Sequence, residues 1–162
     1  MTSACQIEPV TEDTVPELLA LIRALAEYED LGPHVVATEE GLRDCLFREP
    51  RAAEAVFAAV DGRRVGYAIW FPTFSTFLGQ RGTYLEDVFV LPDWRGAGIG
   101  RALLAHVARV ALERGSGRME WAVLDWNAPA IGFYERLGAR PMKGWTVYRL
   151  TGQALRDLGS GT

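Results

Sequence analysis

This chain has almost no lysine: of its 17 basic residues only Lys143 is one, and the rest are arginine. The skew reads as genome composition, and it makes any role of Lys143 easy to isolate. Cysteine is scarce too. Cys5 and Cys45 are too few for a disulfide framework or a metal site, and read as small core residues of a reducing compartment. The two histidines, His34 and His106, form neither a metal nor a triad constellation, so no metal is expected. No apolar run approaches the roughly 18 residues of a membrane span, and no signal-peptide pattern opens the chain. The expectation is a cytoplasmic protein without a membrane partner. A net charge of −4 lacks the basic excess that nucleic acid attracts, and suits a cationic substrate. Repeats, low-complexity tracts and linkers are also missing, so residues 1–162 read as one domain.

What is present alternates between strand and helix signals. Gln6 to Val10 reads as a short strand. Thr14-Val15-Pro16-Glu17 has capping-box spacing, and Leu18, Leu21, Ile22 and Leu25 repeat at helical intervals as far as Tyr28. Thr38 is placed to cap a second helix burying Leu42, Cys45 and Leu46. Ala53–Val60 and Val65–Phe74 flank a turn and predict an antiparallel hairpin, with an aromatic loop from Phe71 to Gly82. Tyr84–Val90 is the next strand, Ile99–Arg114 a helix, Arg118–Leu124 a strand and Ala128–Leu137 a helix stopped by Gly138. Trp145–Leu150 reads as a last strand and Gln153–Leu158 as a tail helix. The fold class is α+β or mixed α/β around one central, mostly antiparallel sheet flanked by helices.

The stretch Tyr84 to Arg101, YLEDVFVLPDWRGAGIGR, carries the most information. Glycine permits a close approach of backbone to a phosphate, and a helix N-terminus supplies free N–H groups and a positive dipole end. A dinucleotide fingerprint would need glycine where Arg101 stands, and a P-loop would need Gly-Lys-Ser/Thr. A plainer alternative is that the glycines merely ease helix–sheet packing. Alternation along the strand puts Glu86, Val88 and Val90 on one face and Leu85, Asp87 and Phe89 on the other, so Glu86 and Asp87 are not expected to cooperate.

Arg95-x-x-Gly98-x-Gly100 after a strand resembles the acyl-CoA pyrophosphate loop of the GNAT superfamily of N-acetyltransferases, and Asp125 to Ala139 resembles its second motif. Leu85-Glu86-Asp87, Trp126-Asn127-x-Pro129 and Glu27-Tyr28-Glu29 are similar to the spermidine/spermine (diamine) and thialysine acetyltransferase branch. The resemblance covers about residues 6–158 and implies a sheet splayed at the cofactor site. It implies acetyl-CoA as co-substrate, its pyrophosphate held by Arg95, Gly96, Ala97, Gly98, Ile99, Gly100 and Arg101. The pantetheine arm would pair with Val88, Phe89 and Val90, and Asn127, Ala128, Pro129 and Ala130 would line its other side. Arg95 and Arg101 would add charge beside the phosphates, or else be solvated helix-end residues.

Acetylation of an amine requires a neutral nitrogen, a polarised thioester and a proton for the departing thiolate. Glu86 is the expected general base, acting through water because an ammonium has a pKa near ~10; cation binding alone is its other reading. Tyr134 is the expected general acid, its alternative being a helix aromatic paired with Phe133. The resemblance implies amine contacts from Tyr28, Glu29, Glu86, Glu120, Trp121 and Ala122. Polyamine-selective relatives carry an acid where this chain has Lys143, which favours an amino-acid-like amine such as thialysine over a polyamine. The expectation is thus a small-molecule amine acetyltransferase, a homodimer by resemblance. A protein or peptide acetyltransferase and a non-catalytic acyl-CoA sensor are the alternatives.

Overall fold

The computed structural model describes residues 4–161, which fall into two compact units, one ending at Ala122 and one beginning at Val123. In the first, five strands lie in sequence order: β1 (Gln6–Pro9), β2 (Glu54–Val60), β3 (Arg63–Ser75), β4 (Gln80–Val90) and β5 (Met119–Glu120). β1 to β4 pair antiparallel and β5 joins β4 in parallel. Adjacent β3 residues point to opposite faces, and each face has its own cover. On one, Phe57, Tyr67, Ile69 and Phe89 pack with Leu18 and Leu21 of α1 (Val15–Tyr28) and Leu46 of α2 (Glu39–Phe47). On the other, Trp70 meets His106 of α3 (Ile99–Glu113), edge to face, at 5.9 Å between centroids. Leu18, Leu103 and Val107 are fully buried, and each such side chain contributes roughly 1.5–3 kcal/mol by leaving water.

Helix boundaries follow local chemistry. Thr38 Oγ1 accepts from Gly41 N at 3.1 Å and opens α2 as its sequence predicts. The box predicted at Thr14 and Glu17 forms differently. Thr14 Oγ1 turns back to accept from Thr11 N at 2.9 Å, capping a 3-10 turn over Glu12–Thr14. Glu17 is drawn instead to Arg64 at 2.5 Å, which also meets Glu8 at 3.5 Å and lies over the Phe57 ring.

The second unit contains α4 (Ala128–Arg136) and α5 (Gly152–Ser160). Asn127, the only asparagine in the chain, opens α4: its Oδ1 accepts from Ala130 N at 3.3 Å, and Pro129 occupies the first turn.

Several expectations are corrected. The Phe71–Gly82 segment is not a loop: β3 and β4 pair out to Ser75 and Gln80, leaving a short turn that exposes Phe77. The strand predicted over Arg118–Leu124 shrinks to Met119–Glu120, and Trp145–Leu150 is not a strand. Cys5 is half-buried and Cys45 exposed, so neither is a core residue. Of the five tryptophans only Trp70 is buried.

Candidate active site

β4 is where the sheet opens. β5 pairs only with Thr83 and Tyr84, so among the described residues no strand lies on that side of β4 from Leu85 to Val90. Leu91 N–H donates to Val65 C=O at 2.9 Å. In an antiparallel strand alternate residues direct both backbone groups the same way, so Phe89 also turns its groups toward β3. Val88 and Val90 therefore direct theirs to the open edge. Of the three residues expected to pair with an extended ligand, Val88 offers both backbone groups, Val90 offers its N–H while its C=O accepts from Arg95 Nε at 2.9 Å, and Phe89 offers a buried ring.

A bulge interrupts β4 beside this edge. Leu85 lies opposite Trp70 and Asp87 opposite Ile69, so Glu86 is an extra residue with no partner in the register. Because Trp70 and Ile69 face opposite ways, so do Leu85 and Asp87. The predicted alternation is corrected here: Leu85 joins the α3 face, while Asp87 and Phe89 stay on the α1 face. The Glu86 carboxylate still acts on Asp87, raising its pKa.

Asp87 is the most perturbed acid of the site. Burial pushes its carboxyl up to about 6, opposed by the hydrogen bond that Tyr67 O–H donates to Oδ2 at 3.0 Å. Burial first, then the charges of Asp87, Glu29 and Glu86, drive the Tyr67 phenol well above its ordinary range. Glu29, just past α1, is itself raised by partial burial. Among the described residues Glu29, Glu86 and Asp87 have no ion-pair partner. Composition gave no sign of Asp87 or Tyr67, because their importance comes from the bulge and the burial. Glu120 differs from these three, its carboxylate being held by Arg118 at 2.9 Å. Trp121 is half-buried and Ala122 exposed.

After β4, Pro92–Trp94 makes a 3-10 turn and the chain enters the glycine segment. Gly96 and Gly98 both have φ +81°, and a Cβ at either would point into open space. Packing therefore does not demand glycine at these two positions; backbone conformation does. The helix-packing alternative fails at Gly96 and Gly98. Gly98 is the N-cap of α3, leaving the first N–H groups of Ile99, Gly100 and Arg101 without carbonyl partners in the helix. The loop thus has the donors and the free approach that a pyrophosphate needs. Arg95 does something other than extend toward that loop. Its Nε donates to Val90 C=O at 2.9 Å, and its guanidinium lies 4.2 Å from the centroid of the Tyr28 ring.

In the second unit, Asn127 is buried and spends its side chain on the α4 cap. Ala128 and Pro129 are exposed on the first turn. Phe133 and Tyr134 are both half-buried, their rings 5.4 Å apart. Lys143 is exposed in a turn with Gly144. Among the described residues no cluster of histidine, cysteine or acid could hold a metal ion, and no helix is long and apolar enough to cross a membrane.

An open strand edge followed by a glycine turn into a helix has the backbone donors that an acyl-CoA would need, and comparison with known proteins gives the family. Residues 18–139 match the Acetyltransferase (GNAT) family, and the chain belongs to that family. It is an N-acetyltransferase, and acetyltransferases of this family use acetyl-CoA. The chain is 38% identical over 163 residues to thialysine N-epsilon-acetyltransferase of Sus scrofa, covering 94% of this chain and 95% of that protein. It is 33% identical over 198 residues to L-ornithine N5-acetyltransferase NATA1 of Arabidopsis thaliana, covering 94% and 87%. Among solved structures, an integron cassette protein from the mobile metagenome of V. cholerae matches with a TM-score of 0.79 at 26% identity, covering 96% and 97%.

Proposed function

We propose that this protein acetylates the primary amine of a small, amino-acid-like molecule of the thialysine or ornithine type. The amine attacks acetyl-CoA directly while both substrates are bound. The observation that carries this reading is the group of unpaired carboxylates, Glu29, Glu86 and Asp87, around Tyr67 beside the open edge of β4. Glu29 and Asp87 are partly buried and Glu86 is exposed beside them. Like charges close together are costly, most where burial removes water, unless a cation joins them, and a substrate ammonium is such a cation. The relatives named for thialysine and ornithine acetylation support the same class. Lys143, standing where polyamine-selective relatives carry an acid, supports an amine that also bears a carboxylate.

In this mechanism Gly96 to Arg101 hold the pyrophosphate through backbone N–H groups, with Val88 and Val90 receiving the pantetheine arm as an added strand. The resemblance to the family adds Asn127, Ala128, Pro129 and Ala130 to the expected cofactor contacts. Glu86 receives the ammonium proton through a water, and Asp87 holds the charge beside it. The neutral nitrogen then bonds to the thioester carbon. The C–S bond breaks as Tyr134 donates its proton to the thiolate, and the second proton of the attacking nitrogen passes through water to the Tyr134 phenolate, leaving N-acetyl product and free CoA. Acetyl-CoA supplies the acyl group and its activation.

The test is a panel of thialysine, ornithine, lysine, putrescine and spermidine with acetyl-CoA, read by CoA thiol release and product mass. Thialysine or ornithine should give the highest kcat/KM. A clear preference for spermidine overturns the Lys143 argument, and acetylation of peptides alone overturns the small-molecule reading.

A further inference from the structure

We infer that Arg95 is a positioning residue for the amine side of the site, not a phosphate ligand; this rests on the amine-acetylation reading above. Arg95 opens the glycine motif, and a cation there would ordinarily be assigned to the pyrophosphate. Its geometry points elsewhere. Nε donates to Val90 C=O at 2.9 Å, on the backbone that faces the open edge of β4. The guanidinium carbon is 4.2 Å from the Tyr28 centroid and 5.6 Å from that of Phe89. Tyr28 in turn packs on Phe89 at 6.4 Å, and Phe89 on Tyr67 at 6.3 Å, whose hydroxyl holds Asp87.

Arg95 thus forms the end of a continuous stack that runs from the start of the cofactor loop to the acid of the amine site. Tyr28 closes α1, and Glu29 follows it directly. Holding the Tyr28 ring against β4 therefore sets where Glu29 stands relative to Glu86 and Asp87. Among the described residues Arg95 forms no ion pair, so its charge is spent on the aromatic face and the carbonyl. A guanidinium suits this double role because its plane stacks while its edge donates.

The experiment compares Arg95→Met, Tyr28→Leu and the double variant, with Arg95→Lys as the charge-keeping control. Acetyl-CoA affinity is measured alone by calorimetry, and the KM of the amine at saturating acetyl-CoA. Arg95→Met should raise the amine KM by about fivefold to tenfold, the scale of one cation–π contact, with the acetyl-CoA Kd changed less than about twofold. Arg95→Lys should recover only part of that loss. Because both variants break one contact, the double variant should be no worse than the poorer single. Hydrogen exchange at the C-terminal end of α1 should quicken in Arg95→Met without any amine present. A Kd for acetyl-CoA weakened tenfold with an unchanged amine KM overturns the inference, as do effects of Arg95→Met and Tyr28→Leu that multiply. If the wild type acetylates no amine, the functional reading fails, while the acetyl-CoA Kd and the exchange of α1 still decide the placement of Arg95.

Discussion

Asp87 shows how one residue can be tuned by its surroundings. Its carboxyl titrates near 6 in the fold, raised first by burial, against about 3.9 in an unfolded chain. Below pH ~4 both states hold the proton and the buried carboxyl costs nothing further. As pH rises toward 6 the unfolded chain releases its proton first, so this residue's contribution to stability falls and is lost above 6. The shift corresponds to a cost of up to about 3 kcal/mol at neutral pH. Asp87→Asn keeps an oxygen to accept the Tyr67 hydroxyl and removes the charge. Thermal melts should show this variant gaining on the wild type between pH 4 and pH 7, while its turnover falls about tenfold or more. A wild type as stable as the variant at pH 7.5 would contradict the account. Tyr134 is argued from chemistry at the same scale: a phenol of pKa near ~10 can protonate a thiolate. Tyr134→Phe should cut kcat about a hundredfold with little change in acetyl-CoA Kd, and unchanged turnover would remove Tyr134 from the mechanism.

The elements were unevenly legible. Periodicity found α1, because its apolar residues recur at helical spacing and nothing competes with that signal, and α3 was placed by the glycines that precede it. The glycine segment was legible because φ +81° at Gly96 and Gly98 leaves few other residue choices. The bulge was not. Alternation assumes one residue per register step, and the extra residue at Glu86 carries no composition mark of its own. That single irregularity moves Leu85 to the other face, while Asp87 keeps the face that alternation gives it and is set aside only because it is not expected to act with Glu86. The long β3–β4 hairpin was missed for a related reason: Pro72 and two glycines read as a loop, yet cross-strand pairs such as Phe71 with Tyr84, 5.2 Å apart, hold it as a ribbon. A test at this scale is Gly98→Ala. The left-handed N-cap would strain an alanine by about 1–2 kcal/mol. Acetyl-CoA binding should weaken by about fivefold to thirtyfold with the amine KM nearly unchanged. Equal affinity in this variant would mean that the loop does not hold the pyrophosphate through its backbone.

At the scale of the whole molecule, the segment between α4 and α5 does not match its sequence. Trp145, Val147 and Tyr148 alternate with polar residues or lie in a β-prone run, yet they are 78%, 89% and 92% exposed and belong to no strand. Such side chains lose roughly 1.5–3 kcal/mol each by staying in water, and exposed apolar runs of this kind mark surfaces that another chain covers. A strand missing its ladder is also a template for pairing. The homodimer that the family resemblance implies would answer both, with the Trp145–Leu150 segment becoming a strand on a second copy of this chain. Light scattering coupled to size exclusion at micromolar concentration should give twice the mass of one chain. Val147→Glu, which puts a charge into that strand, should give the mass of a single chain. A wild type that stays single at tens of micromolar would remove the dimer that the resemblance implies.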